Sequence, residues 1–66
     1  GQIGAAFTGA ADFDGGTATF YDAAGNIMGS GPITGTLTPI DSLTAGPITM
    51  PALVVGQTYY VRLAKP

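Results

Sequence analysis

The chain has 66 residues, 45% of them apolar, with four acidic side chains against two basic ones and a formal net charge of −2. It has no Cys and no His, which excludes disulfides, thiolate metal sites, imidazole ligands and histidine-dependent catalysis. Charged residues make up 9%, where a soluble domain ordinarily carries roughly 25%, and Arg62 with Lys65 forms no basic patch of the kind that binds nucleic acid.

The elements follow in chain order. Ile3 to Thr8 is a short strand interrupted by Gly4. Ala10 to Gly16 is a loop closing on Asp14-Gly15-Gly16. Thr17 to Tyr21 alternates and is rich in β-formers. Asp22 to Asn26 is a hairpin turn in which Gly25 and Asn26 are both able to take positive φ. Ile27 and Met28 begin a return strand that breaks at Gly29-Ser30-Gly31-Pro32. Ile33 to Thr38 alternates again, with Ile33, Gly35 and Leu37 on one face and Thr34, Thr36 and Thr38 on the other. Pro39 to Ser42 is a turn. Leu43 to Met50 is a strand interrupted at Gly46-Pro47, with Ile48 and Met50 inward, and Thr58 to Ala64 is the last strand. Gly31-Pro32-Ile33-Thr34 is echoed by Gly46-Pro47-Ile48-Thr49. The echo reads as two similar strand openings, since Pro is tolerated at a strand's first residue.

Gly and Pro recur so often that no apolar stripe at helical spacing survives. The expectation is a single all-β domain over residues 1–66. It is a small Ig-like β-sandwich or a partly open β-barrel of five to seven short antiparallel strands. Its expected core is Phe20, Ile33, Leu37, Ile48, Leu53, Tyr59, Val61 and Leu63. No apolar run is long enough to span a membrane, and the opening residues lack the charged-then-apolar pattern of a secretory signal.

The segment from Leu53 through Gly56 to Tyr59-Tyr60-Val61-Arg62-Leu63 resembles the corner between two strands of fibronectin type III and bacterial immunoglobulin-like domains. Thr17 to Ile27 is similar to a strand–turn–strand of the bacterial modules. The resemblance implies that Leu53 ends one strand, Gly56 makes the turn, and Tyr59 bonds through its hydroxyl to the backbone upstream. It also implies that Val61 and Leu63 are core and that Tyr60 and Arg62 lie outside. Val55 stands where that family usually has Pro, the chain has no Trp, and no strand follows the one after Tyr59. A sandwich one strand short exposes an edge that a neighbour's strand would fill.

Chemistry is scarce. Asp12-Phe13-Asp14-Gly15-Gly16 begins like a calcium loop, but the chain has no Glu to complete one. The two Asp read as turn residues. No pair of carboxylates is placed for acid–base work, Ser30 and Ser42 sit in turns, and Gly29-Ser30-Gly31 lacks the Lys of a phosphate loop. No enzyme activity, cofactor or metal is expected. Tyr60 beside Arg62 is the candidate interface pair, because both residue types are enriched at interfaces. A core this small is marginal alone, and a surface with so little charge packs against neighbours without repulsion. The reading is a structural assembly protein at a virion or at an extracellular or cell surface: a phage-type decoration or cement protein, a tail or fibre component, or a filament subunit. Its partners would be copies of itself or a larger capsid, tail or surface scaffold protein, with no nucleic acid and no membrane insertion. The alternative is an Ig-like binding module of a larger secreted or cell-surface bacterial protein.

Overall fold

The computed structural model describes residues 1–38, 41–50 and 52–66. Its five strands are β1 (Gln2–Phe7), β2 (Thr17–Tyr21), β3 (Ile27–Thr36), β4 (Ser42–Thr49) and β5 (Tyr60–Ala64), with a short 3₁₀ turn at Ala11–Phe13. All pairings are antiparallel, and the sheet order is β1-β4-β3-β2-β5. The sheet curls into a half-barrel, so of the two forms expected the partly open barrel is the one the chain adopts.

The curl has a local cause. The first half of β3, Ile27 to Pro32, pairs with β2, and the second half, Ile33 to Thr36, pairs with β4. The strand changes partner at Pro32–Ile33. Ile33 N–H donates to the Gly16 carbonyl at 3.0 Å, and Gly15 N–H donates to the Ile33 carbonyl at 2.9 Å. By strand alternation the Pro32 nitrogen then faces β4, at the level of Gly46. There the β4 ladder is already interrupted, because Ile3 pairs Ile48 while Ala5 pairs Ala45, which leaves Gly46 and Pro47 opposite Gly4. A proline without an N–H thus meets a bulge that offers no ladder partner. Gly46 holds φ +89°, its peptide to Pro47 is cis, and a Cβ there would lie 2.8 Å from the Ile3 carbonyl oxygen.

The bulge also switches which residues point inward. Leu43 and Ala45 face the core before it, and Ile48 and Met50 face the core after it. Past the bulge β4 leaves β3 and crosses over it. The Ile48 and Met50 side chains fill the space above Gly31 and Gly29, where added Cβ atoms would lie 3.4 Å from Ile48 Cδ1 and 2.7 Å from Met50 Cε. Ala18, Phe20, Ile33, Leu43, Ala45 and Met50 form the buried core between the two walls.

Four expectations are corrected. β3 does not break at Gly29–Pro32 but runs through it as one bent strand. The two Gly-Pro segments are mid-strand bends rather than strand openings. Leu37 is 40% exposed because it lies one residue past the end of β3, and Val61 is 44% exposed because no strand covers β5 on its outer edge. Ile48, Leu53, Tyr59 and Leu63 are half-buried, while Phe20 and Ile33 are buried. Of the turn expected over Pro39 to Ser42, Pro39 and Ile40 lie outside the described residues and Ser42 opens β4.

In the β2–β3 hairpin Gly25 alone takes positive φ, at +88°. Asp22 organises the turn. Its carboxylate accepts from Asn26 N–H at 2.8 Å, from Ala24 N–H at 3.0 Å and from the Asn26 side-chain amide at 3.1 Å. The backbone and then the side chain of Asn26 hold its carboxyl below the ordinary value. Because the folded value is depressed, the stability it contributes is present above the unfolded value and is lost as pH falls through the folded one.

Two outcomes are expected. Gly46→Ala lowers stability in urea unfolding by about 1–3 kcal/mol, because positive φ and a backbone clash coincide. Gly29→Ala costs less, since the nearest atom it meets is the free end of Met50. In thermal melts across acid pH the native chain loses stability as pH falls below about 4; Asp22→Ala is less stable at neutral pH and lacks that part of the acid transition.

Candidate functional site: the open seam

The described residues hold no group of three or more His, Cys, Asp or Glu side chains able to share a metal ion. Asp12 sits instead 3.8 Å from Lys65 Nζ, an ion pair with both partners exposed and therefore worth little. Lys65 also lies 5.8 Å from the centre of the Phe13 ring, so the 3₁₀ turn and the end of the chain lie together. No helix among the described residues is long and apolar enough to cross a membrane.

What the fold presents is a seam. β1 and β5 are the two edges of the sheet, and the curl brings them to face each other across a gap. Ile3, Gly4 and Ala5 line one side of this gap, and Phe20, Tyr60 and Val61 line the other. The gap continues into a groove of about 320 Å³ between Gly1–Ile3 and the Leu53–Tyr59 loop. Ile3 and Tyr59 belong to both parts, and neither part is lined by a charged side chain.

Each expected site residue can be placed. Leu53 is half-buried against Gly1, where an added Cβ would lie 3.4 Å from the Leu53 side chain. Gly56 has φ +88° at the third position of a turn closed by Gln57 N–H donating to the Val54 carbonyl at 3.2 Å. Positive φ at that position alone makes the turn type II. Tyr59 Oη accepts a hydrogen bond from Val54 N–H at 2.8 Å, tying the start of β5 to the loop before it. Leu53, Gly56 and Tyr59 thus form one local unit at the end of the seam. Tyr60 and Arg62 project from the other face of β5, beside Tyr21 and Thr19 of β2. Tyr60 is 57% exposed and borders the gap, while Arg62 is exposed and is not among the residues that line it.

Sequence reasoning did not find β1's share of the seam. Ile3 and Ala5 alternate inward as any half-buried strand would, and nothing local says that β5 lies opposite. Val54 and Val55, both exposed, carried a signal: two β-branched residues beside a turn glycine with no polar partner.

Comparison of the chain with protein-family models, curated proteins and solved structures finds no match.

Tyr59→Phe is expected to cost about 0.5–1.5 kcal/mol, one hydrogen bond, and to speed hydrogen exchange at the Val54 amide. Val55→Pro is expected to stabilise by about 0.4–1 kcal/mol, because Pro suits the second position of this turn and restricts the unfolded chain. Chemical denaturation of both variants checks the pair.

Proposed function

We propose that this chain is a non-enzymatic structural protein that acts in many copies within a larger assembly. Within that class it is a virion decoration or cement component, a tail or fibre component, or a filament subunit, working at a virion or an extracellular surface. The observation that carries the reading is the uncharged, unpaired seam between β1 and β5. A sheet edge left open presents a row of backbone groups ready to pair with another chain. Proteins that live as free monomers blunt such edges with charge, Pro or cover. Here β1 carries no charge and no Pro, and Arg62 is the one charge on β5.

Further support is energetic. Among the described residues the fully buried large side chains are Phe20, Ile33 and Leu43, while Ile27, Val54, Val55, Tyr60 and Val61 remain exposed. Covering such surface yields about 25 cal/mol per Å², less the cost of association. Low charge removes the repulsion that would oppose close packing of copies. A second reading, an Ig-like binding module of a larger secreted or cell-surface bacterial protein, draws on the hydrogen bond between Tyr59 and Val54.

The expected outcome for the assembly reading is a melting temperature that rises with protein concentration from micromolar to millimolar, with matching growth in sedimenting mass. Self-association stabilises the native state by mass action, the more so the further the concentration exceeds the dissociation constant. A concentration-independent melt with a monomer throughout would overturn multicopy action in favour of the binding module.

A further inference from the structure

We propose that the seam takes a sixth strand, an uncharged extended segment of another polypeptide with apolar residues at alternate positions, lying antiparallel to both β1 and β5. The proposal rests on the assembly reading and names the scaffold contact that reading requires.

Strand polarity is the first ground. Four antiparallel pairings link β1 to β5 through β4, β3 and β2, so the two edges run in the same direction. Closing them directly would make a parallel pair in an otherwise antiparallel sheet. One strand running the other way satisfies both edges with antiparallel ladders, and one is the smallest number that does so.

The second ground is the vacant backbone. Gly1 and Met50 exchange hydrogen bonds, Gly1 N to the Met50 carbonyl at 3.1 Å and Met50 N–H to the Gly1 carbonyl at 2.8 Å. The odd residues of β1 therefore bond towards β4, and by alternation Gln2, Gly4 and Ala6 direct their N–H and C=O groups into the seam.

The third ground is the lining. Val61 pairs directly with Phe20 on the same face of the sheet. Phe20 is 2% exposed and Val61 is 44% exposed, although both point inward. The difference is that β2 has a strand on each side and β5 does not. An incoming strand would supply the missing cover. Because no charged side chain lines the seam, a charged side chain on the inner face of that strand would be buried without a partner.

Who supplies the strand follows from the pairing of the chain itself. Every strand among the described residues is already held in the sheet. In a second copy the edge strands β1 and β5 are each already backed by another strand of their own sheet. The donor is therefore a free extended segment outside these strands, carried by another polypeptide and bound by strand addition.

The test uses the acetylated, amidated peptide Gly-Thr-Ala-Thr-Phe-Tyr, which repeats residues 16–21. Its β2 portion pairs antiparallel with β5 on that strand's other side. Binding to the full chain is followed by calorimetry, melting temperature and amide hydrogen exchange. The expected result is a higher melting temperature and slowed exchange at Gln2, Gly4 and Ala6. Placing Asp at the Ala and Phe positions of the peptide, or N-methylating every second residue, should weaken binding by at least about tenfold. Absence of binding, or equal binding by the charged and N-methylated peptides, would overturn the proposal. So would slowed exchange at those three amides on self-association without peptide, which would put a second copy in the seam. Peptide binding by a chain whose melt does not depend on concentration would sustain the seam and remove the multicopy reading.

Discussion

The architecture depends on a proline of β3 facing a bulge in β4. β3 and β4 are neighbours in the middle of the sheet, and a central strand is normally no place for a residue that cannot donate to the ladder. Here Pro32, where β3 changes partner, falls at the level of Gly46, which with Pro47 makes up the β4 bulge. The bulge accommodates Pro32, because its missing N–H faces the stretch of β4 that the bulge has taken out of register. Gly31 and Gly46 flank the same point, and the space above Gly31 is filled by Ile48. A flat five-stranded sheet would leave one face in water. The paired bends turn the sheet over on itself, so one layer of side chains between facing walls serves as the core.

That solution sets the character of the whole molecule. Curling buries Phe20, Ile33, Leu43 and Met50 within a Cα envelope of 36 × 19 × 16 Å, but an odd number of antiparallel strands cannot close on itself without a parallel pair. The edges stay apart, with a gap between them lined by residues of both. The loop before β5 closes one end of the seam through the Tyr59 hydroxyl and the Gly56 turn. This unit anchors β5 at its start, while the outer edge of the strand remains unpaired.

On the proposed reading, function is carried by surface and backbone rather than by reactive side chains. Four acidic residues without a Glu or His among them offer little acid–base chemistry. Asp22 is committed to its hairpin and Asp12 lies beside Lys65. The proposed strand-accepting seam would need none of these groups, since its recognition elements would be main-chain amides and an apolar lining.

The amino-acid sequence determined by itself the all-β class, the β2 strand and its hairpin, the Gly56 turn and the scarcity of chemistry. Each follows from local residue preference, from alternation over a few positions, or from composition. Only the tertiary structure decided that Gly29 to Pro32 continues a strand, because a Gly-Pro break is tolerated there solely through the bulge across from it. The same bulge decided that Leu43 and Ala45 share the core with Ile48 and Met50, an inward set that changes parity midway and so has no single period to read. Leu37 and Val61 had the right residue type and alternation for the core, yet burial depends on the neighbours a position acquires, and the end of β3 and the open edge of β5 supply none. The seam was beyond local reading for the same reason: it joins Ile3 and Ala5 to Val61 across the whole length of the chain, and only the order and direction of the strands bring them face to face.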